Sequence, residues 1–407
     1  MKKTVTGIIL CFLFISNGFS EITVTKMWER SRAQNNAAAN VKIDISTTQK
    51  TIAVANDTIF LADNNPAQIY CYSAANGDYL TSFTSPSGDN MVLADKAGHI
   101  CTTGPEGATY FNLSIRQANN TFTSVSLGAT SKLAFPALYS DATDSMYVFT
   151  FVAAAKQIRR YTVFGGIVTA IKTVTITDLH SSYQTRETSV MPVTKDKVII
   201  TANLAFSTYV DMNHGDYVFT DLTRIITKNI PLDGAVYPTQ PGGTVFTYKN
   251  RVYLVQGWTP SLTDYLLAGS FKIYDVTDEK NATIVYTQSE YLGVDARAYN
   301  IVTFQAVVKA DGVYIYEYSP LNGMAAYKLT DTATDNVEIA KENTLRCFSE
   351  NGTLTIMAPV GEQVKVYSVT GTLISSIEMQ QPIASFDVDK HQLLLVCCGN
   401  EVVKVNN

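Results

Sequence analysis

Apolar and polar positions alternate along this chain in short runs broken by turn residues, and the 3.6-residue spacing of a helix is nearly absent. Such runs predict strands with at least one buried face. One unit reads Thr51 to Val54, Asn56-Asp57, Thr58 to Leu61, a polar loop through Asn64, Asn65 and Pro66, Ile69 to Tyr72, Asn76-Gly77, then Tyr79 to Phe83. That is four strands with turns between them. Asn76-Gly77 reads as a tight hairpin, since both residues tolerate positive φ.

The same order recurs from Met91, Leu133, Ser189, Thr244 and Thr303. Turn residues fall at Ala97-Gly98, Gly165-Gly166, Lys195 to Lys197, Lys249 to Arg251 and Ala310 to Gly312. The period is roughly 40–55 residues, the spacing of four-stranded propeller blades. A single unit leaves open edges and an unburied face, which radial repetition covers. The expected fold is therefore all-β: a β-propeller, seven blades favoured and six possible, followed by a small C-terminal β-sandwich. Ile22 to Thr25 with Met27-Trp28 is expected to add a strand to the last blade and close the ring. A polar, acidic connector spans 330–343, after which short strands restart at Leu354 to Met357, Val364 to Tyr367 and Leu393 to Val396.

The chain opens with Lys2-Lys3, an apolar stretch from Val5 to Ile15, and small residues before Glu21. This is the pattern of a cleaved secretory signal peptide. The stretch is shorter than the ~20 residues that span a bilayer. The expected division is a signal peptide over 1–20, a propeller over 21–335 and a sandwich over 345–407. An exported protein is expected, in the periplasm, at the cell surface or outside the cell, with no transmembrane segment after cleavage.

Composition narrows the partners. Charged residues are 16% of the 407, with a net charge of −5, while 23 Tyr and 18 Phe suit strands. No basic surface for nucleic acid is implied. Five cysteines follow the signal, at Cys71, Cys101, Cys347, Cys397 and Cys398. Cys71 reads as a buried small hydrophobe, and the adjacent Cys397 and Cys398 point to opposite faces of a strand. A bridge from Cys347 to either of them stays open.

Motifs for a phosphate loop, a dinucleotide turn, a zinc-protease helix, a calcium loop or a serine nucleophile elbow are missing. The four histidines lie far apart, so neither metal nor cofactor is expected. Two loops carry candidate chemistry. Asp178 to Glu187 groups His180, Tyr183 and Arg186, a base, a ring and a cation. Gln256 to Tyr265 reads as a long loop offering Trp258 and Tyr265 as rings that stack on a sugar.

Gly361 to Ile374 (Gly-Glu-Gln-Val-Lys-Val-Tyr-Ser-Val-Thr-Gly-Thr-Leu-Ile) resembles the sorting domain of the Por (type IX) secretion system of Bacteroidetes. Gly399 to Val405 is similar to that family's closing hairpin, while Asp389 to Leu393 departs from its usual Gly-hydrophobic-Tyr step. The front resembles a secreted propeller family of unknown function from similar bacteria. Met27 to Ser31, Thr51 to Ala55, and Ile69 to Tyr72 with Asn76-Gly77 carry that likeness. Both resemblances imply export, and neither supplies catalytic residues. The leading expectation is a non-enzymatic binding propeller of the bacterial envelope or surface, its ligand a glycan or an envelope protein. A carbohydrate-active hydrolase or lyase working at the propeller mouth is the alternative, and a structural assembly module is a third.

Overall fold

The structure is a computed structural model. It describes residues 22–331 and 345–406, apart from 35–50, 65, 87, 105–109, 130–134, 141–144, 180–187, 203–206, 220–221, 223, 227–236, 260–269, 289, 294–301, 321, 351–352, 359, 382, 389–392 and 399–400. The chain divides into two compact units, Met1–Thr332 and Ala333–Asn407. The signal-peptide expectation lies outside the described residues. The described part is all-β, with many small antiparallel sheets and one short 3-10 turn at Ala153–Ala155.

Among its described residues the first unit shows six sheets, each built around consecutive strands of the chain. Sheet one has Ile52–Ala55, Thr58–Asn64, Ala67–Ser73 and Tyr79–Thr84. Sheet two has Met91–Ala94, Ile100–Thr103, Tyr110–Arg116 and Phe122–Ala129. Sheet three has Ala137–Ser140, Met146–Val152, Gln157–Phe164 and Ile167–Thr177, with Tyr217–Val218 added in parallel. Sheet four has Thr188–Thr194, Lys197–Ala202, Ser207–Asp211 and Arg224–Ile226. Sheet five has Tyr237–Tyr248, Arg251–Thr259, Ser270–Asp275 and Thr283–Gln288. Sheet six has Thr303–Lys309, Gly312–Ser319 and Gly323–Asp331, and its fourth strand is the N-terminal Ile22–Ser31.

The N-terminal segment thus joins the last sheet, as expected. The favoured count of seven is corrected to six sheets among the described residues. Ile22–Ser31 completes a three-stranded remainder and founds no sheet of its own.

Each of these sheets buries both faces. Val148 enters a core shared by sheets two and three, while Tyr147, Phe149 and Phe151 of the same strand enter a core shared by sheets three and four. Period-2 alternation sends neighbours to opposite faces, so a strand covered on both sides reads as an unbroken apolar run. Met146–Val152 is such a run, interrupted by Thr150 alone and buried throughout. Separate cores join sheets one and two, four and five, five and six, and six and one.

Charged and aromatic side chains clasp the same boundaries. The Arg116 guanidinium of sheet two lies over Phe60 and Phe83 of sheet one, at 5.4 and 4.8 Å. Lys96 lies over Tyr139, Arg160 pairs with Asp196, and Lys197 pairs with Glu279. Lys249 reaches Asp331 at 3.4 Å, and Lys309 reaches Asp57 at 2.6 Å.

Two-residue turns with positive φ connect several strand pairs. Asn56 and Asp57 have φ 48° and 57°, Lys249 and Asn250 have 47° and 62°, and Gly165 and Gly166 have 57° and 78°. These match the twist of the strands they join. Asn76-Gly77 differs from its expectation. Only Gly77 is left-handed, in a longer loop closed by Ser73 N–H to Asp78 O at 2.8 Å. Asn76 Oδ1 accepts the Asp78 N–H at 3.1 Å, so the Asn works through its side chain.

A buried acid lies beside the N-terminal strand. Glu317 has no exposed surface. Tyr327 Oη donates to its Oε2 at 3.1 Å, and Gln288 Nε2 donates to Tyr327 Oη at 3.4 Å. Glu317 Oε1 has no partner among the described residues. Burial raises this carboxyl well above the usual range; the Tyr327 hydroxyl opposes the rise, Glu29 adds to it and Lys26 opposes it. Below the ordinary carboxylate pKa, folded and unfolded chains both hold the proton, and stability is whole. As pH rises past that value only the unfolded chain releases it, so stability falls until the folded carboxyl also ionises. Glu317→Gln is expected to gain stability over wild type as pH rises above the ordinary carboxylate pKa of about 4.3. Thermal unfolding across pH checks this, and parallel curves for the two proteins refute it.

The described residues of the second unit form two sheets. One orders Arg346–Glu350, Thr353–Met357 and Ile383–Asp387. The other orders Leu373–Glu378, Gln363–Ser368, Leu393–Cys398 and Glu401–Asn406. Leu354, Ile356, Val364, Val366, Leu394 and Val396 from both sheets share one core.

Candidate functional site

A cavity of about 670 Å³ lies in the first unit, bounded by the first strands of all six sheets. Each of those strands is an edge of its sheet. Consecutive first strands lie side by side, from Ile52–Ala55 to Met91–Ala94 and onward, and Thr303–Lys309 lies beside Ile52–Ala55 again. An edge strand presents backbone N–H and C=O groups that lack a ladder partner. Some are satisfied across the gap. Thr51 Oγ1 accepts from Val92 N–H and donates to Val92 O, both at 2.7 Å, so it ties sheet one to sheet two. Phe135 N–H donates to Thr188 O at 3.1 Å, tying sheet three to sheet four.

The wall mixes apolar side chains with hydroxyls. Val92, Leu138, Val190, Val245 and Phe304 supply the first. Thr244 and Gln305 are half-buried polar lining residues, whereas the hydroxyls of Ser140 and Thr303 are closed off and have no hydrogen-bond partner among the described residues. A buried hydroxyl without a partner costs about 1–3 kcal/mol. Gly243 lets the wall pack closely against Met191: a Cβ there would stand 2.5 Å from the Met191 sulfur and 3.2 Å from Val255 O.

Asp95 is the carboxylate among the described lining residues. Its Oδ1 accepts the N–H groups of Ala97 and His99, both at 3.0 Å, and its Oδ2 lies 2.8 Å from His99 Nδ1. It is fully buried and committed to shaping this turn. His99 follows the turn and stands immediately before the strand Ile100–Thr103.

His180, Tyr183, Arg186 and Tyr265 lie outside the described residues. Trp258 is placed, and its loop assignment is corrected. It sits in the strand Arg251–Thr259, opposite Pro238 on one side and Ser270 on the other. Partner strands on both sides carry the ladder past Gln256, so the chain stays extended where Gly257 and Pro260 suggested a loop. Among the described residues no three His, Cys, Asp or Glu side chains are grouped to hold a metal ion, and no helix is long and apolar enough to cross a membrane.

Sequence reasoning missed the cavity and the two buried hydroxyls. Ser140 and Thr303 lie 163 positions apart, in strands with no motif of their own.

No family model and no curated protein matches the chain. Among solved structures it is similar to the computationally designed Ika8 protein, at 11% identity over 93% of this chain and 98% of that one, with a TM-score of 0.34. It is similar to PorZ, a bacterial surface component of the type-IX secretion system of Porphyromonas gingivalis, at 12% identity, 88% and 51% coverage and a TM-score of 0.35. This chain spans about half the length of that PorZ chain. A third is the dihydro-heme d1 dehydrogenase NirN, at 10% identity, 88% and 66% coverage and a TM-score of 0.37. Scores of this size carry nothing about activity.

Proposed function

We propose that the first unit is a six-bladed β-propeller of an exported binding protein, which takes an uncharged, hydroxyl-rich ligand such as a short glycan into its central cavity. The cavity's half-buried, uncharged lining, with Thr244 and Gln305 as polar groups beside Ala137 and Val245, carries this reading. A sugar offers hydroxyls to Thr244 and Gln305 and C–H faces to Ala137 and Val245. The cavity volume falls within the ~300–1,000 Å³ of small-molecule sites. The cyclic order of shared cores and the N-terminal strand in sheet six support the ring. Asp95 is held by backbone and His99, which favours binding over the alternative of a glycan hydrolase or lyase. The signal-like first 20 residues support export. The resemblance of Gly361 to Ile374 to the Por sorting domain supports a small C-terminal β-sandwich of that kind.

Filling the cavity from two walls tests the reading. Ala137 and Gln305 are half-buried lining residues of sheets three and six. Ala137→Trp and Gln305→Trp are each expected to weaken glycan binding at least about tenfold, the effect of ~1.4 kcal/mol, while leaving the fold intact by circular dichroism. A glycan array read by both binding and product analysis separates the outcomes. Turnover of a bound glycan would move the assignment to the enzyme reading. Binding unchanged in both variants, or no glycan bound by wild type, would remove the proposal.

A further inference from the structure

The second unit carries two thiols set across its core. Cys347 lies in the strand Arg346–Glu350 of one sheet, and Cys398 ends the strand Leu393–Cys398 of the other. Cys347 pairs with Ile356, a fully buried core residue, and directly opposed residues of an antiparallel pair point to the same face. Cys398 belongs to the same core, and Cys347 packs against it. Alternation turns Cys397 away: Cys398 is buried, whereas Cys397 is half-buried on the other face.

Stacked sheets stand about 10 Å apart, too far for a disulfide, whose Cα atoms lie about 4.4–6.8 Å apart. The edge strands of the two sheets approach more closely than that. Arg346–Glu350 comes within 8 Å, Cα to Cα, of Glu401–Asn406, whose first residue pairs with Cys398. The thiols are also near enough for the charge of one to act on the other.

We propose that Cys347 and Cys398 form a disulfide that joins the two sheets, made by exchange with a disulfide oxidant. One cysteine gives up its proton, and its thiolate attacks a sulfur of the oxidant, forming a mixed disulfide and expelling one thiolate. The second cysteine, also deprotonated, attacks the protein sulfur of that mixed disulfide and expels the other. Two protein thiols are oxidised, one oxidant disulfide is reduced to two thiols, and the two protons pass to the departing thiolates. Burial pushes the Cys347 thiol up to about 11, with Cys398 adding to the rise. Thiolate is scarce near neutral pH, so the bond forms slowly and faster as pH rises. The bond is independent of what the first unit binds.

The full-length chain is incubated folded with oxidised glutathione, alkylated in denaturant, digested without reduction and mapped by mass. The expected result is a cross-link between the Cys347 peptide and the Cys397-Cys398 peptide, retained in Cys397→Ser and lost in Cys398→Ser. Its rate is expected to rise about tenfold per pH unit between about pH 7 and 9. Oxidation is expected to raise the unfolding midpoint of the second unit by several degrees, reversed by dithiothreitol. A cross-link that survives in Cys398→Ser, or thiols that all remain alkylatable after oxidation of wild type, would overturn the proposal.

Discussion

Trp28→Ala is expected to destabilise the first unit by about 3–5 kcal/mol, the usual cost of deleting a large buried ring. Trp28 sits on the N-terminal strand and packs into the core shared by sheets six and one. Its Nε1 donates to Ala74 O at 3.0 Å, in the loop that ends at Gly77. A Cβ on Gly77 would stand 2.7 Å from the Trp28 ring, so glycine serves close approach there as well as positive φ. Two columns from the start of the chain, Trp28 and Arg30, both land on this loop; Arg30 pairs with Asp78 at 3.0 Å. Removing the ring leaves a void, and the indole's acceptor at Ala74 loses its partner. Denaturant unfolding of the two proteins checks the value. A change under ~1 kcal/mol would mean the N-terminal strand contributes little to joining sheets six and one.

Gly323→Ala is expected to cost about 2–6 kcal/mol, combining a disfavoured φ with displacement of a packed strand. Gly323 has φ 130° and lies opposite Ser31 at the end of the N-terminal strand. A Cβ there would collide with Arg30 O and stand 2.7 Å from Ser31 Cα. Both obstacles are backbone, so no side chain can swing aside. The damage is expected at the strand that completes sheet six. Hydrogen exchange should show faster opening of Ile22–Ser31 and Gly323–Asp331 before other strands. Unchanged protection in those two strands would refute this account.

The two predictions concern a join that sequence repetition made visible. Once three strands stand in the last repeat, the apolar alternation of Ile22 to Trp28 marks the missing fourth. Turns requiring two positive φ values were equally plain, at Asn56-Asp57 and Gly165-Gly166, because few residues accept that backbone. Asn76-Gly77 misled, since Asn also stabilises longer loops through its side chain. Gln256 to Thr259 misled for another reason: Gly and Pro mark where a strand is weak, but neighbouring strands decide where it stops.

Local chemistry along the chain determined that this protein is all-β, built of repeated four-strand units, with a strand to spare at its start. That information is carried by periods of two and by residues tolerant of turns, both short-range properties. Which faces meet, where the cavity lies, that the Ser140 and Thr303 hydroxyls are buried without partners among the described residues, and that Cys347 packs against the core holding Cys398 were decided only by tertiary structure. These pairings join residues tens to hundreds of positions apart, and a hydroxyl or thiol on an ordinary strand carries no local mark of what the opposite wall will bring.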